Sequence, residues 1–337
     1  MVNVAMLSAW HPHAKGYAEE LRKLPEAKIT AVWDEQPDRG RKWADELGAA
    51  FEADLNVLLR RSDVDAVVCD APTNRHVEVL TAAAGARKHI FTEKVMAMTV
   101  KECHQIAEAV RKAGVTFCIS FPFRTRPDTL FAKRVADEKL IGDVTLLRVR
   151  IAHNGASAGW LPRHFYDPVT CGGGAMMDLG AHPMYLARWI MGKPVRITSM
   201  FNAYTSGHAV EDNAVCVVEF ANKGLGVVET SFVSTHSPFC LELFGTEGSL
   251  FVGGPDDRVR IISNKSATGA KGWTTPSELP APLPRPIVLW IRGIREGTPI
   301  PFGLEEGTQL TELMAVSYTH LRAHETPEHL VCRLLLE

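Results

Sequence analysis

The chain has 337 residues, of which 37 are Lys or Arg and 39 Asp or Glu, for a formal net charge of −2. That length excludes a small stapled module, and the absence of a basic excess excludes a nucleic-acid groove or a polybasic membrane contact. Hydrophobic residues make up 46% and charged residues 23%, the balance of a chain that buries a core.

No apolar run approaches the ~18 residues of a membrane span, and the N-terminus lacks the charged lead and cleavage site of a secretory signal. The seven cysteines are scattered with no C-x-x-C pair, so neither a disulfide framework nor a zinc cluster is expected and the chain reads as cytoplasmic. From residue 2 onward, short apolar runs alternate with amphipathic stretches, the pattern of strand and helix units on a parallel sheet. Strands are predicted over 2–7, 29–33, 66–69, 89–92 and 116–120. Ala14, Tyr17, Ala18, Leu21 and Leu24 recur at helical spacing, and further helices are predicted over 37–47, 56–60, 74–86 and 100–113. Five or six parallel strands are thus in place by residue 121.

After Gly142 the chain turns β-rich, with runs at 144–152, 195–203, 214–220, 226–233, 240–244 and 259–262. The turn signals Asn222-Lys223-Gly224 and Gly245-Thr246-Glu247-Gly248 suit hairpins and hence an antiparallel sheet. Residues 264–286 read as a surface loop and 305–316 as a closing helix. The last stretch, 317–337, breaks the composition and reads as a non-native, adaptor-derived tail, so its His320, His324 and His329 are kept out of any metal argument. The expected domains are 1–122, 123–316 and this tail, 317–337.

The first strand opens a helix through Ser8-Ala9-Trp10-His11-Pro12-His13, where a dinucleotide fold presents a Gly-rich turn to the pyrophosphate. The glycines are absent, and Trp10 stands where close phosphate approach usually demands one. Asp34 ends the second strand and has the place to accept both ribose hydroxyls, which favours NAD over NADP; its alternative role is to cap the following helix. Pro72-Thr73-Asn74 and Glu93-Lys94 close the next two strands at the carboxyl edge, where ligands bind in open α/β sheets. Lys94 is placed to hydrogen-bond a substrate hydroxyl and the nicotinamide ribose while Glu93 steadies its ammonium; a solvated ion pair is the plain alternative.

The strongest local signal is Gly172-Gly173-Gly174-Ala175-Met176-Met177-Asp178-Leu179-Gly180-Ala181-His182-Pro183-Met184-Tyr185. Asp178, His182 and Tyr185 stand at i, i+4 and i+7, one polar stripe on an otherwise apolar helix. A cleft fits such a stripe, with His182 exchanging a proton near neutrality and Asp178 orienting substrate or ring; a satisfied core pair is the alternative. No metal is expected, since two ligands at i, i+4 lack a third.

Taken together these residues resemble the glucose-fructose oxidoreductase and inositol dehydrogenase (Gfo/Idh/MocA) family over about residues 2–316. The resemblance rests on Asp34, the 65–74 run with His76, Lys88 to Lys94, Arg124, Pro127 and the GGG-x3-D-x-G-x-H segment. It implies an α/β fold: an N-terminal Rossmann doubly wound parallel sheet, then a C-terminal α/β domain with a large, mostly antiparallel, open-faced sheet that forms a homo-oligomer contact (dimer or tetramer). It also implies NAD(P)-linked redox chemistry on a sugar or polyol, with Lys94, Asp178 and His182 catalytic. The cofactor side would take Ser8, Ala9, Trp10, His11, His13, Asp34, Pro72, Thr73, Asn74, His76, Glu93 and Lys94, and the substrate side Arg124, His153, Trp160, His164 and Tyr185. Val95 stands where the family usually has Pro, and Tyr185 where many members have a second acid. Two other readings use the same fold, a non-catalytic dinucleotide- or sugar-sensing regulator and a redox-assisted hydrolase or eliminase with no net NADH.

Overall fold

The computed structural model describes residues 1–205, 207–265, 272–319 and 332–333. They form two compact units, the first comprising Met1–Pro122 and Pro284–Thr311, the second Phe123–Leu283 and the chain from Glu312. Among the described residues no helix is long and apolar enough to cross a membrane.

The first unit alternates β1 (Val2–Leu7), α1 (His13–Arg22), β2 (Ala27–Trp33), α2 (Pro37–Leu47), β3 (Ala50–Phe51), α3 (Leu55–Leu59), β4 (Ala66–Cys69), α4 (His76–Gly85), β5 (His89–Thr92), α5 (Val100–Ala113) and β6 (Phe117–Ile119). The six strands are parallel in the order β3-β2-β1-β4-β5-β6. Order reverses between β1 and β4, so the loops leaving those strands splay apart and leave a crevice at the carboxyl edge. Every residue of β4 is buried, as expected of a strand covered on both faces. Local chemistry sets the helix ends: Pro37 begins α2, a Thr99/Glu102 capping box starts α5, and Gly114 in the left-handed region stops it.

The second unit contains α6 (Pro127–Asp137), β7 (Val144–Ala152), α7 (Pro168–Cys171), α8 (Ala181–Met191), β8 (Pro194–Asn202), β9 (Asn213–Phe220), β10 (Leu225–Ser231), β11 (Cys240–Gly245), β12 (Gly248–Gly253) and β13 (Arg258–Ser263). With β14 (Cys332–Arg333) they make an eight-stranded sheet, β13-β12-β11-β7-β10-β9-β8-β14, antiparallel except for the β7/β10 pair. Helix α8 packs on β7 and β10. The residues alternate accordingly: Ala214, Cys216, Val218, Phe220 and Val228 are buried, while Val215 and Leu225 are exposed. That other face carries cross-strand ion pairs, Arg196 to Glu219 at 2.6 Å and Arg148 to Glu229 at 2.9 Å.

The expected second domain, 123–316, needs correcting, because residues 284–311 return to the first unit. There α9 (Pro286–Glu296) packs on α1, β5 and β6, with Trp290 fully buried and its ring 5.7 Å from that of Phe91. Burying an aromatic of that size contributes roughly 1.5–3 kcal/mol, which a strand face left wet would forfeit. Helix α10 (Leu304–Tyr318) runs two residues past the expected closing helix, and its Ser317 and Tyr318 continue into the segment expected as a tail. The remainder of that segment lies outside the described residues apart from Thr319 and β14. Neither α6, α9 nor β12 was expected. For β12, the Gly245 to Gly248 turn is so tight that the next strand begins at Gly248 itself.

Candidate functional site

In the first unit the β1/α1 turn begins at Ser8, whose φ of 75° is left-handed although it is not glycine. Its Oγ accepts from Trp10 N at 3.0 Å and Arg39 Nη2 at 3.3 Å, local bonds that help hold this backbone. Trp10, expected on the cofactor side, is buried. Asp34, at the end of β2, is almost fully buried. Its oxygens accept from Ala9 N (2.9 Å), Gln36 N (2.7 Å) and, as a fork, Arg39 Nε (2.8 Å) and Nη2 (2.7 Å). The N-cap of α2 is Gln36, without a side-chain cap, so capping does not explain Asp34. The close approach of α2 needs Gly40, where a Cβ would lie 2.7 Å from the Asp34 Cβ.

A second group gathers past β4 and β5. Glu93 is buried; its Oε1 accepts from the Tyr17 hydroxyl and lies 2.8 Å from His13 Nδ1, and its Oε2 accepts Lys94 N at 3.0 Å. Tyr17 also meets Ser120 Oγ at 2.6 Å. Burial works to raise the Glu93 pKa, but His13, His11 and Lys94 outweigh it and hold the carboxylate well below its usual range. Asp70, just past β4, is the reverse. It is fully buried with both carboxylate oxygens lacking a hydrogen-bond partner among the described residues, and burial, reinforced by Glu93, pushes its pKa well above the usual range. Glu93, expected to steady the Lys94 ammonium, also bonds His13 and Tyr17, the donors that α1 brings beside the end of β5, and the Lys94 charge adds to the stabilisation of its carboxylate. The Lys94–Val95 peptide is cis, and Lys94 is buried.

Of the third strand loop, Pro72 and Thr73 are buried and Asn74 exposed. His76, expected on the cofactor side, is buried. It opens α4, with Nδ1 3.1 Å and 3.2 Å from the carbonyls of Val95 and Met96 and Nε2 3.1 Å from that of Ala71. Burial favours the neutral ring, which carries one N–H, so His76 donates to the carbonyls on one side only, either Ala71 or the Val95–Met96 pair.

In the second unit the expected single stripe is split. Residues 172–180 form turns and α8 begins only at Ala181, so His182 and Tyr185 lie on the helix and Asp178 before it. The cause is Glu211, which sequence reasoning missed. Its buried carboxylate accepts Gly174 N (3.1 Å to each oxygen) and Met176 N (2.9 Å), and its carbonyl accepts Ala175 N at 2.9 Å. A Cβ on Gly174 would sit 1.9 Å from that carbonyl, so only glycine lets the turn dock there. The only advance signal was an acid pair, Glu211-Asp212, ahead of a strand.

His182 Nδ1 lies 3.2 Å from the Tyr185 hydroxyl, which accepts Phe123 N at 3.1 Å, and the His182 ring sits 5.2 Å from that of Phe123. Tyr185 is buried with its hydroxyl engaged, a support for His182 more than the substrate-lining residue expected. Arg124 stacks over Trp189 at 4.8 Å. His153 stacks flat on Phe232 with the exposed Trp160 beside it, and His164 packs on Phe165. Phe165 and Phe232 belong to one buried cluster, so His153, Trp160 and His164 border the same core, while Arg124 follows the Phe123 whose N–H meets Tyr185.

The first unit's residues fit a nicotinamide dinucleotide. Asp34 holds the Arg39 guanidinium in a two-donor fork, the geometry a ribose diol would demand if Arg39 gave way, and Asp70 is an acid without a hydrogen-bond partner among the described residues at the same carboxyl edge. Residues 7–121 match the oxidoreductase family with an NAD-binding Rossmann fold, and residues 129–251 the GFO/IDH/MocA C-terminal domain. The chain is 31% identical over 247 residues to the oxidoreductase YrbE of Bacillus subtilis (strain 168), covering 70% of this chain and 69% of that protein. It is 28% identical over 257 residues to myo-inositol 2-dehydrogenase of Thermotoga maritima, covering 74% and 75%. Among solved structures, levoglucosan dehydrogenase with NADH and levoglucosan superposes with a TM-score of 0.81 at 21% identity over 93% of this chain and 95% of that one. GenD2 from gentamicin A biosynthesis, in complex with NAD, gives 0.79 at 23% identity over 94% and 93%. The chain is an oxidoreductase of the Gfo/Idh/MocA family.

Proposed function

We propose that the protein is a nicotinamide-dinucleotide-dependent dehydrogenase acting on a secondary alcohol of a sugar or polyol, with NAD preferred over NADP. The relatives that support this include a myo-inositol 2-dehydrogenase and a scyllo-inositol 2-dehydrogenase of 28% identity each. The bound nicotinamide accepts or returns a hydride. His182 takes the hydroxyl proton, Lys94 polarises the oxygen, and Asp178 fixes a neighbouring hydroxyl. Asp34 accepts the ribose hydroxyls as Arg39 gives up its fork on that carboxylate, and an acid at this position repels a 2′-phosphate.

The observation that carries the reading is the relay Phe123 N–H to Tyr185 hydroxyl to His182 Nδ1, at 3.1 Å and 3.2 Å, which fixes an imidazole on a buried helix. NADH formation from NAD⁺ over a panel of sugars and polyols tests the reading. His182→Ala is expected to lower turnover by roughly 10²-fold with cofactor affinity unchanged, and undiminished turnover removes His182 from the mechanism.

The same reading makes the protein a homo-oligomer through the open face of the second unit's sheet. Val215, Leu225 and the prominently exposed Met200 on β8 to β10 support it.

A further inference from the structure

We propose that His13, backed by Glu93, is the cationic contact to the diphosphate of the dinucleotide and replaces the Gly-rich turn this chain lacks. The inference rests on the dinucleotide reading above and concerns how that ligand is held.

A Gly-rich turn binds phosphate with backbone N–H groups left pointing at the ligand. Here each of those groups is already used. Ser8 N donates to the Trp33 carbonyl (2.6 Å), His11 N to that of Asp70 (3.2 Å) and Ala14 N to that of His11 (3.1 Å). Ala9 N donates to Asp34 Oδ2 (2.9 Å), Trp10 N to Ser8 Oγ (3.0 Å) and His13 N to His11 Nδ1 (3.2 Å). Pro12 has no N–H. From Ser8 to Ala14 the main chain therefore offers an anion nothing that is not already spent, and a diphosphate must be met by side chains.

His13 is built for that task. It is the first residue of α1, its side chain is 49% exposed, and its Nδ1 lies 2.8 Å from a carboxylate only 3% exposed. That arrangement directs the ring and leaves part of it in solvent. The buried anion stabilises positive charge on the imidazole, and the Tyr17 hydroxyl holds the same carboxylate oxygen in place. The charged or titratable groups around the ring are His11 in the same turn, Tyr17 on α1, Asp70 past β4, and Glu93 and Lys94 past β5. Glu93 is in direct contact with it, and the His11 ring lies 4.4 Å away between centroids. The donor atoms of His11, His13 and Glu93 lie within 4.8 Å of one another, but Glu93 Oε1 is already shared between His13 and Tyr17, which makes it a counter-ion to the imidazole before a ligand to a cation.

The test is calorimetric titration of NAD⁺, ADP-ribose and adenosine into the intact chain and into His13→Asn and His13→Lys. His13→Asn is expected to weaken NAD⁺ and ADP-ribose alike by roughly tenfold or more and to leave adenosine unchanged, and His13→Lys to recover most of the loss. In the unsubstituted protein, affinity for both phosphate-bearing ligands should fall as pH rises through the imidazolium's titration, and His13→Asn should lack that slope. This second readout holds even if a variant folds poorly. Unchanged affinity in His13→Asn, or no pH slope in the parent, overturns the assignment while leaving the dehydrogenase reading in place; failure of the parent to bind NAD⁺ or NADP⁺ overturns both. Binding abolished by a chelator and restored by Zn²⁺ also overturns it, giving the three residues to a metal.

Discussion

At the residue scale, side chains readable from the sequence were those whose role depends on position at a strand end. Asp34 follows β2, and its carboxylate pairs with Arg39 in the fork that a ribose diol would have to take over. For His76, expected on the cofactor side, position leaves two roles open, since a histidine at the same edge serves equally well as a staple and its ring faces the carbonyls of Ala71, Val95 and Met96. Burial lowers the His76 pKa against those carbonyl bonds, and burial lowers that of His89 as well. A folded-state pKa below the unfolded value of ~6.5 gives stability that is complete above that value and is lost as pH falls through the folded pKa. The thermal midpoint should therefore drop on acidification from neutrality. His76→Gln should cost about 1–3 kcal/mol from the stranded carbonyls and flatten that acid limb, and an unchanged limb would mean that His76 carries none of it.

At the element scale, the parallel half was readable because buried parallel strands are unbroken apolar runs, and β1, β2, β4 and β5 appear close to where the runs lie. Period alone failed at α8. The spacing of Asp178, His182 and Tyr185 is helical, yet Glu211 bonds Gly174 and Met176 and holds residues 172–180 as turns, a tertiary contact with no local trace. The antiparallel half was readable from β-rich runs joined by hairpin turn signals, and alternation marks its open face in the structure: Val215 and Leu225 alternate with buried Ala214, Cys216 and Gly226. If that face is the oligomer contact, sedimentation should give a dimer or tetramer, and Val215→Lys should shift it toward monomer by placing a charge in an apolar interface. A parent that sediments as a monomer at every concentration would remove the sheet from the assembly.

At the scale of the whole molecule, two family domains in one chain and a crevice of acids at the carboxyl edge of the first sheet make the oxidoreductase assignment. The return of residues 284–311 to the first unit was not readable, since what recruits Trp290 is the face of β5 and β6, nearly two hundred residues earlier in the chain. The central claim is that the first unit holds a nicotinamide dinucleotide with Asp34 on its ribose. Its most direct test is calorimetric titration of NAD⁺ and NADP⁺ into the protein and into Asp34→Ala. The account predicts that NAD⁺ binds at least about tenfold more tightly than NADP⁺ and that Asp34→Ala, which also releases Arg39 toward a 2′-phosphate, erases the preference. Binding of neither nucleotide, or a preference for NADP⁺ that Asp34→Ala leaves untouched, would contradict it.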